Sequence, residues 1–124
     1  MDAVENLYFA LGELVYAIAK ADGEIQREEE ETIHKIVKEG VAKHHPELNI
    51  ADIIFQIMEK DNIMDLETSY KFALESMEKV NYKLTDELKN EFVNIVTKVA
   101  GAFPPVTIEE EDLITRFKKD IAKI

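Results

Sequence analysis

Apolar residues return every three or four positions along nearly the whole chain, and no stretch sustains an alternation of period two. That pattern restricts the fold to packed amphipathic helices. Six stretches carry it: Val4 to Ile18, Ile33 to Val41, Ile50 to Ile57, Leu66 to Met77, Leu88 to Val99 and Leu113 to Ile121. Asp2, Asn49, Asp65, Thr85 and Thr107 stand before five of these stretches. Each has a short side-chain oxygen able to accept from a free backbone N–H at a helix start. Thr107 with Glu110 three residues on completes a capping-box pattern. With 124 residues, four Gly and three Pro, the expectation is one compact all-α bundle of about six helices, spanning 1–124 as a single domain.

The first six-residue window that invites suspicion is Glu5-Asn6-Leu7-Tyr8-Phe9-Ala10, which resembles a tag-protease site with Ala10 in place of the required glutamine. Leu7 falls in phase with the helix that follows, so the segment reads as native. The first residues lack a basic region, and no apolar run reaches the ~18 residues of a membrane span. The expectation is a cytoplasmic protein without direct membrane insertion.

The chain repeats itself. Shifted by 81 residues, Leu11, Leu14, Val15, Ile18 and Ala19 fall on Phe92, Ile95, Val96, Val99 and Ala100. Without a gap, Ile25 then meets Val106, Glu28-Glu29 meets Glu109-Glu110, and Ile33 meets Ile114. The expectation is that two helix–loop–helix units bracket a central helix pair in a pseudo-symmetric bundle. They diverge at the loop, where Asp22-Gly23-Glu24 corresponds to Phe103-Pro104-Pro105.

Charge concentrates in the same places. The formal net charge is −11; residues 21–31 contribute −5 and residues 109–112 contribute −4. An acidic chain lacks the basic patches that sequence-independent nucleic-acid binding needs, so nucleic acid is not an expected partner. With no cysteine, disulfides and thiolate metal sites are excluded. Acids in the first turn of a helix interact favourably with the macrodipole, by about 0.3–1 kcal/mol each. Four adjacent carboxylates also repel one another, so decoration of a helix start and a cation-binding or docking role both stay open.

The first loop compares with the second half of an EF-hand. With Gly23 at the sharp turn, Asp22 takes position five, Glu24 position seven, Ile25 the apolar position and Glu29 the bidentate carboxylate at the end. The first ligand positions fall on Ile18 and Lys20, which cannot ligate a cation, so a closed cage is not expected. What remains is a weak divalent-cation site of Asp22, Glu24, Glu28 and Glu29, completed by water. Such oxygen ligands suit calcium or magnesium better than zinc. The competing reading is a tight interhelical turn with Gly23 at positive φ.

A helix ending in Ile18-Ala19-Lys20-Ala21-Asp22-Gly23-Glu24-Ile25, followed by Glu28-Glu29 and a second apolar helix, resembles the TerB-like domains of bacterial tellurite-resistance proteins. That resemblance implies an all-helical fold and a non-enzymatic role in stress resistance. It also implies cation binding by the acids of an Ala-Asp-Gly motif near each end. Carried over residue by residue, it points to Asp22, Glu24 and Glu29, with Glu110 as the acidic match of the second motif. Phe103-Pro104-Pro105 departs from the pattern, which puts a two-motif metal site in doubt. It also sets an aromatic-proline tip beside an acidic helix start, a surface suited to a protein partner.

Other chemistry has little support. Glu31 and His34 share one Glu-x-x-His, where a di-iron bundle needs two such motifs and two further Glu. Ser69 and Ser76 lie in no nucleophile-elbow context, and no glycine-rich loop is present to cradle phosphate. The expectation is a chain without enzymatic activity. The aromatics off the main stripes, Phe9, Tyr16, Phe55, Phe72 and Tyr82, are expected chiefly to complete the core. The competing role for them is a ligand groove or self-association as a homodimer.

Overall fold

The computed structural model describes residues 3–20, 27–42, 65–102 and 106–124. These form five α-helices: α1 (Ala3–Lys20), α2 (Arg27–Ala42), α3 (Leu66–Lys79), α4 (Asp86–Ala102) and α5 (Ile108–Ala122). A short 3-10 turn at Asn81–Lys83 links α3 to α4. There is no strand among the described residues. The all-helical expectation holds, and five of the six apolar stretches coincide with these helices. The stretch Ile50 to Ile57, with the cap expected at Asn49, lies outside the described residues, as does Asp2.

Helix starts follow the local chemistry of their caps. Asp65 has extended backbone, and its Oδ1 accepts from the Thr68 N–H at 2.7 Å. That backbone donor, first among the influences on it, holds the Asp65 carboxyl below its ordinary value. Thr85 Oγ1 accepts from the Leu88 N–H at 3.2 Å where α4 begins. Thr107 caps α5, its Oγ1 accepting from the Glu110 N–H at 3.1 Å and donating to Glu110 Oε1 at 3.2 Å. The Thr–Glu pair thus closes as its spacing predicts, although the carboxylate takes the threonine hydroxyl as its donor.

Helix α1 is the most buried of the described helices. From Leu7 to Ala19 every residue except Phe9 is buried, including Glu13. A helix enclosed on nearly all sides needs apolar residues all round it, and the run Leu7-Tyr8-Phe9-Ala10-Leu11 supplies them. Leu7 and Tyr8 are fully buried, so the segment that resembles a protease site is part of the native core. Each such side chain contributes roughly 1.5–3 kcal/mol on burial.

The described helices pack partly on α1 and partly on α4. Helix α1 lies chiefly against α3 and also against α4, while α2 and α5 each pack on α4. Tyr8 of α1 meets Phe92 of α4 with ring centroids 5.3 Å apart. Gly40 lets α2 approach α4 closely. A β-carbon there would come within 2.6 Å of Ile95 Cδ1 and 2.8 Å of Glu91 Oε1.

Residues paired by the 81-residue shift are alike in burial. Leu11, Leu14, Val15, Ile18 and Ala19 are all buried, and so are Phe92, Ile95, Val96, Val99 and Ala100 at the corresponding positions. The aromatics divide. Tyr16 is buried and Phe9 packs partly against the core, but Phe72 and Tyr82 are exposed. Phe72 lies off the face of α3 that buries Tyr70, Ala73 and Met77, and Tyr82 belongs to the 3-10 turn. For these two, the expectation of a core role is not met. Phe55 lies outside the described residues.

Candidate functional site

The acids singled out by the sequence sit at two helix starts, which the structure treats differently. Glu28, Glu29 and Glu30 form the first turn of α2. Glu28 is exposed, and Glu29 and Glu30 are half-buried. Glu31 is exposed beside Arg27, with Arg27 Nε 3.9 Å from its Oε1. Asp22 and Glu24, the other two expected ligands, lie outside the described residues. Among the described residues no group of three or more His, Asp or Glu is placed to hold a metal ion. The Glu31/His34 pair therefore gathers no further ligand there.

At the start of α5 the four acids divide by direction. Glu110 points inward and is 3% exposed, committed to Thr107 as described, while Glu109, Glu111 and Asp112 face outward. Ile108 opens the helix and is 77% exposed, next to a partly exposed Val106. An exposed isoleucine set among three outward carboxylates forms a small apolar spot with an acidic rim. Phe103, expected at this tip, lies outside the described residues.

A second constellation escapes sequence reasoning. Between α3 and α5 the Tyr70 hydroxyl donates to Asp120 Oδ2 at 2.6 Å. The Arg116 guanidinium lies over the Tyr70 ring, 4.4 Å from its centroid, and Nη1 donates to Glu67 Oε2 at 2.7 Å. Arg116 Nε stands 3.6 Å from Asp120 Oδ2, and the Tyr70 and Phe117 rings meet edge to face at 6.4 Å. Burial, reinforced by the hydrogen bond to Asp120, pushes the Tyr70 phenol well above its ordinary value. The group is a fixed neutral donor at neutral pH, whereas a phenolate base would need the opposite shift. The ion pair to Glu67 raises Arg116 further. Together these contacts clamp α5 onto α3.

Beside the clamp lies an open groove of about 310 Å3, floored by Tyr70, Leu74 and Ile124. Its rim carries Lys71, Arg116 and Lys123 against Glu75, Glu78 and Asp120, so its charges balance. Among the described residues no helix is long and apolar enough to cross a membrane. Comparison with known protein families, with curated proteins and with solved structures finds no match.

Proposed function

We propose that the chain is a non-enzymatic, TerB-like module that acts by binding, with the start of α5 as a docking surface for a basic protein segment. One observation carries this reading: Ile108 is 77% exposed on a turn whose neighbours Glu109, Glu111 and Asp112 face outward. An apolar contact anchors a partner, and surrounding carboxylates steer a cationic one toward it at a rate that falls with salt. The TerB-like resemblance of the first loop supports a stress-response setting of the tellurite-resistance kind. The matched burial of α1 and α4 supports the pseudo-symmetric relation between the two units.

The test is a fluorescence-anisotropy titration with a labelled Lys/Leu amphipathic peptide. The reading expects saturable binding that weakens as potassium chloride rises, and its loss in the triple variant Glu109→Lys, Glu111→Lys, Asp112→Lys. Binding that survives the charge reversal overturns it.

A second reading places a weak calcium or magnesium site at Asp22, Glu24, Glu28 and Glu29. It is favoured by the spacing of Asp22, Glu24 and Glu29 about Gly23 and by the exposure of Glu28 in the first turn of α2. A cation binding there raises stability by RT ln(1 + [L]/Kd). With a Kd of about 100 µM, 10 mM calcium adds ~2.7 kcal/mol. Asp22→Asn is expected to abolish the part of the thermal shift that potassium chloride at matched ionic strength does not reproduce. A shift equal in potassium overturns this reading.

A further inference from the structure

We draw no further inference here: the strongest candidate, the 310 Å3 groove between α3 and α5, carries nothing because its Arg116 and Asp120 belong to the clamp already described, its remaining rim charges balance, and nothing in the structure shows what occupies it.

Discussion

Helices α2 and α5 open on equally acidic first turns, yet the two turns present different surfaces. In α5 the second of four acids is drawn inside and held by Thr107, and the outer three surround an exposed isoleucine. In α2 the acids lie between half-buried and exposed, and Arg27 pairs with one of them. The units also pack differently. In the second, α4 and α5 lie against one another, whereas α2 of the first rests on α4. Similar sequence at a helix start therefore does not produce similar surface. One inward side chain is enough to turn a row of carboxylates into a cap with an apolar neighbour.

The largest test of the relation between the units is truncation at equivalent core positions. Phe92→Ala is expected to cost about 3–5 kcal/mol and Leu11→Ala about 2–5 kcal/mol, read as midpoint shifts in urea unfolding. Either side chain is fully buried. A loss below ~1 kcal/mol at one of them would break the correspondence in burial.

Next come two of the four glycines, Gly40 and Gly101. Gly40→Ala forces a β-carbon into Ile95 and Glu91 and is expected to destabilise by about 1–3 kcal/mol. Gly101→Ala meets nothing within 4 Å and is expected to stabilise by up to about 1 kcal/mol through helix propensity. Equal effects at the two sites would contradict the close approach of α2 to α4.

Tyr70→Phe removes the hydroxyl donated to Asp120 and is expected to cost about 1–2 kcal/mol. The folded protein holds this phenol proton more tightly than the unfolded chain, where the pKa is about 10. The contribution is therefore complete below pH ~10 and is lost as pH rises beyond it. Thermal melts across alkaline pH should show a decline in the parent chain that is smaller in Tyr70→Phe. A decline of equal size in both would place the effect elsewhere.

The smallest expected difference separates the helix starts themselves. Thr107→Ala removes the cap of α5 and the partner of Glu110, at a cost of ~1 kcal/mol. Glu28→Ala, on an exposed carboxylate, should stay within about 0.5 kcal/mol. Comparable losses in calorimetric melts would mean that the α2 acids have a structural role like that of Glu110.

Much of this architecture is legible in the residue pattern because helical spacing and caps are local signals. Asp65, Thr85 and Thr107 each accept from a backbone N–H three residues on, so a few adjacent residues suffice to place them. The clamp is not legible in that way. Tyr70 and Asp120 are 50 positions apart, and Glu67 and Arg116 are 49 apart. Glu67, Arg116 and Asp120 each read alone as surface charge, and only the packing of α3 beside α5 brings them together. The inward turn of Glu110 is half legible. The capping-box spacing ties it to Thr107, but the neighbouring acids give no hint that one of four leaves the surface. The exposure of Phe72 has a similar origin, since an aromatic on a helix does not announce which faces its neighbours cover.

The most direct measurement is a chemical-shift map of the isotopically labelled chain titrated with the Lys/Leu amphipathic peptide. The account predicts perturbations concentrated at Val106, Ile108, Glu109, Glu111 and Asp112, with the amides of Glu28 to Glu31 little changed. Equal perturbation of both acidic turns, or shifts confined to the α2 turn, would contradict the claim that the start of α5 is the docking surface.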